Sequence, residues 1–434
     1  MSPVHCPALF LTAPASGQGK TTLTAALARL LTQQGKTVRI FKTGPDYLDP
    51  QILALASKQP VVQLDLWMAG EAWCQQQLYL AAKTADLILI EGAMGMFDGE
   101  PSSADLAARF NIPMVIVMDV SAMAQTAAAL ASGLASFRDD IDVVGLIANY
   151  CASERHRQLI EQALPEQLPL LATINRSESF SLPERHLGLV QTQEMPELIE
   201  QCIQSGADYL ASLDIKGIID ASKSVTFTSA TIESVEKQLT HTTIAVANDV
   251  AFSFIYEANV QLLQAMGAEI VYFSPINDAR VPTADALWLP GGYPELHAKL
   301  LSENITMLAS IKQFFNEGKK IVAECGGLLY TLQTLTNIED EEYHLLGLLK
   351  GKGLMRERGG CQGLQTATVP EGDIRGHAHH RSHSVETDEP MAYSRRQRHS
   401  APGEAIYRDK GLTASYLHLF FPSNPQAVAR LFKE

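Results

Sequence analysis

Short, almost uninterrupted apolar runs alternate with longer stretches of helical period along the first part of the chain. The runs are ALFLTA, TVRIFK, DLILIEG, PMVIVMD and DVVGLIANY. Continuous apolar strands separated by amphipathic helices point to a parallel sheet covered on both faces. Between them, TTLTAALARLLTQQG reads as a helix stopped at Gly35, and AMAQTAAALASGLASF as another. A second series follows, with strands in TTIAVAND, AEIVYFSP, DALWLPGG and KKIVAECGG and helices in EANVQLLQAMG and ITMLASIKQFFNEG. The pattern predicts an α/β architecture built twice on one chain.

Two regions break the alternation. Residues 193–240 hold a helical stretch, MPELIEQCIQSGADYLASL, and then the Ser/Thr/Lys-rich KSVTFTSATIESVEKQ. They read as a linker with a helix, joining a domain at 1–192 to a second at 241–434. Residues 370–405 mix His, Arg, Ser and Pro with little apolar period, and are expected to be part strand and part mobile loop.

Composition narrows the class. A chain of 434 residues suits two cores rather than one, and 46% hydrophobic against 19% charged residues is enough to build them. A net charge of −14 argues against a nucleic-acid partner but leaves room for a basic pocket that takes an anionic substrate. Six scattered cysteines with no C-x-x-C fit a reducing compartment, so a cytoplasmic location is expected. The N-terminus lacks the basic segment of a signal peptide, and no apolar stretch reaches membrane-spanning length.

Candidate chemistry sits at the strand ends. GQGKTT at residues 17–22 follows the first apolar run and opens a helix. In such a loop the backbone N–H groups, with Gly17, Gly19 and Thr22, face phosphate; Lys20 reaches the terminal phosphates and Thr21 binds Mg²⁺. Pro14 replaces the first glycine of the usual pattern, so the flanking strand and helix carry the reading. Ala15 stands where partition-type ATPases place a second lysine, which disfavours that subclass of binding module.

FKTGPDYLDP and LILIEGAMGMFDG also end at the carboxyl edge of the sheet, where ligands of open α/β sheets bind. Asp46, Asp49, Asp98 and Glu91 are candidates for holding Mg²⁺ or managing charge at a reacting carboxylate, with Asp46 and Glu91 foremost for the metal. Lys42 is a candidate for a phosphate or a substrate carboxylate. Asn149, after VVGLIA, is a candidate for the adenine edge or simply a turn residue.

The second half carries different chemistry. IVAECGGLLYTLQ reads as strand, tight turn and helix, exposing the Cys325 thiol beside a helix N-terminus that favours the thiolate. His418, in SYLHLFF, is the candidate base. The N–H groups around Gly291 and Gly292 in PGGYPELH are oxyanion-hole candidates. The histidines at 377, 379, 380 and 383 lack accompanying ligands at zinc spacing, so this stretch, with Arg375, His377 and Arg381, is expected to contact an anionic substrate. A phosphate loop and a Cys–His pair on one chain point to an ATP-using, glutamine-fed amide ligase.

The segments APASGQGKTT, FKTGPDYLDP, LDLWMAG, IEGAMGMFDG, LPERHLGLV, LPGGYPELHA, AECGGLLYT, RGHAHH and SYLHLFFPSNP give the chain a close resemblance, nearly end to end, to the cobyrinic/hydrogenobyrinic acid a,c-diamide synthase family. The resemblance implies a dethiobiotin-synthetase-like P-loop domain followed by a class I glutamine amidotransferase-like domain. It implies ATP with Mg²⁺, glutamine and a corrinoid polycarboxylate as ligands. Apart from the resemblance, a homodimer is among the expected assemblies, and no nucleic-acid or membrane partner is expected. Cobyric acid synthase and nickel-sirohydrochlorin a,c-diamide synthase are the related alternatives. Class I amidotransferases place Glu two residues after the histidine; Phe420 stands there, which resembles the Cys–His dyad of the cobyrinate branch. RGHAHHRS also departs from the family's RGHEFHYS at Ala378, His379 and Arg381.

Overall fold

A computed structural model describes residues 2–433 except 177–180, 186–187, 233 and 357–361. The chain divides into two compact units, residues 1–232 and 233–434.

In chain order the first unit comprises β1 (Val4–Thr12), α1 (Lys20–Gln33), β2 (Val38–Thr43), α2 (Leu48–Ser57), β3 (Val62–Leu64), α3 (Glu71–Ala82) and β4 (Leu87–Glu91). It continues with α4 (Ser103–Phe110), β5 (Met114–Asp119), α5 (Gln125–Ser136), β6 (Val143–Asn149), α6 (Glu154–Glu161) and β7 (Leu170–Ile174). A short hairpin, β8 (Glu184–Arg185) and β9 (Gly188–Leu189), precedes α7 (Pro196–Ala211), α8 (Lys216–Ala221) and β10 (Lys223–Phe227). The sheet order is β3-β2-β4-β1-β5-β6-β7, parallel throughout. Such an order puts the carboxyl ends of β1, β2 and β4 side by side, which gathers the loop at 17–22 and both acidic turns on one edge. Gly35 lies just past the end of α1 with φ 83°, the left-handed conformation that glycine allows at a helix stop.

The stretch read as a linker supplies parts of this unit. Ile199, Cys202, Ile203, Ala207 and Leu210 of α7 are buried in one core with Leu23, Leu27, Leu30 and Leu31 of α1. Arg29, itself 3% exposed, pairs with Glu200 and donates to the Ala56 carbonyl at 3.2 Å. β10 then runs antiparallel to the N-terminal half of β1, Val4 opposite Phe227. Polar residues in KSVTF alternate with the buried Val225 and Phe227, a half-exposed edge pattern that resembles a linker in composition.

The second unit begins with β11 (Thr243–Ala247), α9 (Glu257–Ala265), β12 (Glu269–Phe273), β13 (Ala286–Leu289), α10 (Ala298–Glu303), α11 (Ile305–Asn316), β14 (Lys320–Glu324) and α12 (Gly326–Thr331). Then come β15 (Thr334–Thr336), β16 (Glu342–His344), β17 (Lys352–Met355), β18 (Gln362–Val369), β19 (Gly372–His379) and β20 (Ser382–Val385). β21 (Ala392–Arg396), β22 (Pro402–Asp409), β23 (Leu412–Ser415), β24 (His418–Leu419) and α13 (Pro425–Phe432) complete it. The large sheet runs β12-β11-β13-β14-β23-β22-β21-β18-β19-β24. Residues 370–405, expected to be partly loop, are mostly antiparallel strand. Register puts His377 opposite His418.

If α7 and β10 complete the first core, a fragment ending at residue 192 should show no cooperative thermal transition, whereas one ending at 232 should melt as a single unit. Circular dichroism on the two fragments checks this, and equal cooperativity would refute the packing argument.

Candidate active sites

The first site forms where α1 begins. Gly19 has φ 83°, and a Cβ there would stand 2.2 Å from Asn149 Nδ2, so both conformation and space demand glycine. Asn149 closes over the loop, its Nδ2 donating to the Gln18 carbonyl at 2.9 Å and its Oδ1 accepting from Tyr150 N at 3.1 Å. The candidate adenine reader thus braces the phosphate loop. Beside it opens a cavity of about 410 Å³ lined by Gly17, Gly19, Thr22, Tyr150, Arg176 and Tyr209 among others. The Arg176 guanidinium lies over the Tyr150 ring, 5.2 Å from its centroid.

Lys20 is buried and donates to the carbonyls of Met94 (3.1 Å) and Ala15 (3.3 Å). Burial, then the Lys42 charge, lowers its pKa. Thr21 Oγ1 donates to Glu91 Oε1 at 2.9 Å and reaches Asp49 Oδ2 at 3.2 Å. Lys42 is almost sealed from solvent, with Nζ 2.5 Å from Asp49, 2.6 Å from Glu91 and 3.5 Å from Asp46. Burial alone would strip its charge, but Asp49, Glu91 and Asp46 outweigh it and hold the pKa well above the ordinary lysine value. Asp46 also accepts from the N–H groups of Leu48 and Asp49 (3.0 and 3.2 Å), setting the start of α2. Burial and the neighbouring Asp49 push its carboxyl up to about 7. Asp98 lies further out and accepts from Gly95 N at 3.0 Å, so its contact is to the turn itself.

The second site is built on an elbow. Cys325 takes φ 46° and ψ −100° between β14 and α12, a strained conformation for a non-glycine residue. Its N–H donates to the Ser415 carbonyl at 2.8 Å, which fixes the elbow to the end of β23. The sequence pattern leads one to expect an exposed thiol; in the structure Cys325 is buried, 5% exposed. Burial first, and then the charge of Glu295, raise the thiol pKa, against a hydrogen bond from Gly326 N–H. α12 has only six residues, too short for its dipole to offset a sealed environment.

His418 is 2% exposed, and burial pushes its imidazole down to about 3. Gly291 lies directly against it, since a Cβ there would come within 2.2 Å of His418 Cε1. Gly292 N would sit 3.0 Å from a Cβ on Gly326, so this amide borders the residue after Cys325. His377 stacks on His418 with centroids 5.1 Å apart and planes at 19°, and its Nδ1 meets Tyr256 Oη at 3.2 Å. It therefore belongs to this buried centre. Arg375 lies exposed on β19, and its carbonyl accepts from Phe420 N at 2.8 Å. Phe420 packs edge-on against Tyr256, centroids 5.5 Å apart.

Two halves with these geometries find counterparts among known proteins. Residues 9–190 match the family model for the CobQ/CobB/MinD/ParA nucleotide binding domain, and residues 243–426 the CobB/CobQ-like glutamine amidotransferase domain. A protein named hydrogenobyrinate a,c-diamide synthase from Stutzerimonas stutzeri is 48% identical over 433 residues, with all of both chains covered. Its namesake from Pseudomonas aeruginosa is 47% identical, covering 99% of this chain and 98% of its own. The cobyrinate a,c-diamide synthase of Herminiimonas arsenicoxydans is 42% identical, covering 98% and 96%. The chain belongs to the a,c-diamide synthase family.

Within that family the structure adds residues that sequence reasoning passed over. Glu324 ends β14 just before Cys325 and is 3% exposed. Its Oε2 accepts from Trp288 Nε1 at 3.0 Å and its Oε1 from Leu419 N at 2.8 Å, which holds the residue after His418. Burial pushes this carboxyl up to about 8. The signal was available: an acid closing the buried run KIVAE, as Glu91 closes LILIE. Asn259 adds a second brace, donating to Leu419 O and accepting from Phe421 N, each at 2.8 Å. Glu295, on a 3-10 turn at Pro294–Leu296, is 9% exposed, and burial pushes it up to about 7.

Gly19→Ala should weaken nucleotide binding, with a strain cost of about 1–3 kcal/mol, read by titration and thermal melting. Gly291→Ala should push the His418 ring aside and lower glutaminase turnover by about 100-fold with little change in nucleotide affinity. Undiminished turnover in the Gly291 variant would remove His418 from the centre.

Proposed function

We propose that the chain amidates the a- and c-acetate carboxylates of cobyrinate or hydrogenobyrinate, using ATP and ammonia released from glutamine, in cobalamin biosynthesis. The observation that carries this reading is the full-length likeness to a,c-diamide synthases, with a furnished site in each unit.

A carboxylate resists attack by ammonia because its leaving group would be oxide. Transfer of the γ-phosphoryl group of ATP to a carboxylate oxygen gives an acyl phosphate and ADP. Attack by ammonia then expels phosphate and leaves the amide. Gly17, Gly19 and Thr22 offer backbone amides to the phosphates, and Lys20 moves from the Met94 and Ala15 carbonyls to the transferring group. Among the described residues Glu91 Oε2 is a buried oxygen with no hydrogen-bond partner. Thr21 Oγ1, 2.9 Å from Glu91 and 3.2 Å from Asp49, would join these carboxylate oxygens as ligands of a nucleotide-bound Mg²⁺. Mg²⁺, once bound, would screen the charge on the transferring phosphoryl group. Lys42 offsets the three surrounding acids and is placed to steer an incoming substrate carboxylate.

In the second unit the resting pair is neutral, a thiol beside an unprotonated imidazole. Cys325 gives its proton to His418 as the sulfur attacks the glutamine amide, and the N–H groups at Gly291 and Gly292 take the oxyanion. His418 returns the proton to the departing nitrogen, so ammonia leaves uncharged and a γ-glutamyl thioester remains. Water then releases glutamate.

Five described cysteines are free, in keeping with a cytoplasmic site of action. Among the described residues no helix is long and apolar enough to cross a membrane. A homodimer is part of the same reading, to be checked by sedimentation.

Cys325→Ala should abolish glutamine-dependent synthesis and keep synthesis from added ammonium. Lys20→Ala should lose both, by about 100-fold or more, while glutamine hydrolysis survives. Both corrinoid acids, supplied with ATP and glutamine and followed by product mass, identify the substrate. No mass change with either acid would overturn the reading.

A further inference from the structure

One more imidazole is buried in the second unit, and the proposed chemistry gives it no proton to carry. His377 is 3% exposed on β19 and lies opposite His418 of β24 in antiparallel register. The two rings stack, with centroids 5.1 Å apart and planes at 19°. Phe254 meets the same His418 ring more loosely, at 6.1 Å and 45°.

The backbone enforces the stack. A Cβ at Gly376 would stand 2.1 Å from the His418 carbonyl, so glycine there lets β24 lie close on β19. Side chains at directly opposite positions of such a pair are in contact. Phe420 N donates to the Arg375 carbonyl at 2.8 Å and prolongs the pairing beyond β24. Asn259, in the first turn of α9, ties down the same segment through Leu419 O and Phe421 N. Tyr256, the residue before α9, shares a 3.2 Å hydrogen bond with His377 Nδ1 and packs edge-on to Phe420. One helix start therefore braces both partners of the stack, Asn259 the strand of His418 and Tyr256 the ring of His377.

The chemistry needs such a platform. An imidazole that takes a proton from sulfur and returns it to a leaving nitrogen must keep its ring plane through both transfers, since a misplacement of about 1 Å costs on the order of 100-fold. Phe420, two residues on, has no polar atom with which to hold that ring. Burial, then His418 and His379, keep the His377 imidazole well below its ordinary pKa. It thus presents a neutral aromatic face, which attracts the positive charge that His418 carries midway through the reaction.

We infer that His377 is a positioning residue: its ring, anchored by Tyr256, is the platform that holds the plane of the His418 imidazole during proton transfer. The inference rests on the glutaminase reading of Cys325 and His418.

The test is glutamine hydrolysis by the full chain, with kcat and KM measured separately. His377→Leu fills the space without a ring. It should lower kcat by about 10–100-fold while KM for glutamine moves by less than about threefold. His377→Phe restores the aromatic face and should stay within about fivefold of the parent. Tyr256→Phe removes only the anchor and should also cost about fivefold, with no further loss in the His377→Phe background, because the hydrogen bond is already gone. Equal activity of the Leu and Phe variants overturns the proposal, since filling space would then be all that the side chain does. A raised KM with kcat intact overturns it too, by making His377 a contact to glutamine. So do additive losses in the double variant, which would mean that Tyr256 does not act through His377. Should His377→Leu fail to fold, His377→Met takes its place with the same expectation. A glutamine-analogue diazoketone separates the layers. Failure to label Cys325 in the parent sinks the glutaminase reading, whereas a labelled parent with equal Leu and Phe variants sinks only the platform.

Discussion

Each unit brings a buried parallel strand to its carboxyl end and finishes it with a glutamate. Glu91 closes β4 at 0% exposure and Glu324 closes β14 at 3%. A carboxylate in that position loses its hydration and must recover the loss from partners or give up its charge. The first unit recovers it with Lys42, whose ammonium is shared among Glu91, Asp49 and Asp46. Thr21 joins the same cluster, so the start of α1, and with it the phosphate loop, is registered against the acids. The second unit offers Glu324 two N–H donors and no cation at contact distance among the described residues, and burial lifts its carboxyl to about 8. One topological position therefore yields a charged cluster in one half and an almost neutral one in the other.

That difference matches what each half must do. Phosphoryl transfer moves dense negative charge and needs fixed cations and oxygen ligands in place beforehand. Amide cleavage by a thiol must release ammonia without its proton, because ammonium is not a nucleophile. In the proposed chemistry the sealed surroundings of Cys325 and His418 let one proton reach the leaving nitrogen and no more. His377 stacks on His418, glycine at 291 leaves room for its ring, and the imidazole is 2% exposed.

Much of this was legible in the sequence, for identifiable reasons. The parallel strands are continuous apolar runs, and the loop at 17–22 and the elbow at Cys325 are local patterns whose chemistry depends on neighbours in sequence. What was hidden depends on distant partners. The helix at Pro196–Ala211 and the strand at Lys223–Phe227 declare themselves only once α1 and β1 offer surfaces to cover. Residues 370–405 carry polar side chains on half-exposed antiparallel strands, and the meeting of His377 with His418 is a matter of register. The burial of Cys325 was not legible, because a helix N-terminus is visible in sequence and burial is not.

The irregular phosphate loop shows how a local departure is absorbed. Pro14 removes a glycine that would ordinarily let the loop bend closely around phosphate. Here the loop is held from outside, by the turn that follows β4. Met96 N donates to the Ala13 carbonyl at 2.8 Å, and Lys20 reaches the Ala15 and Met94 carbonyls. A Cβ on Gly95 would lie 2.7 Å from the Pro14 carbonyl, so the close approach has passed to a glycine on the opposite segment. Asp98 fixes that segment through Gly95 N. The glycine requirement is thus met across space, which explains why EGAMGMFDG, read by itself as an acidic turn, is also part of the nucleotide loop.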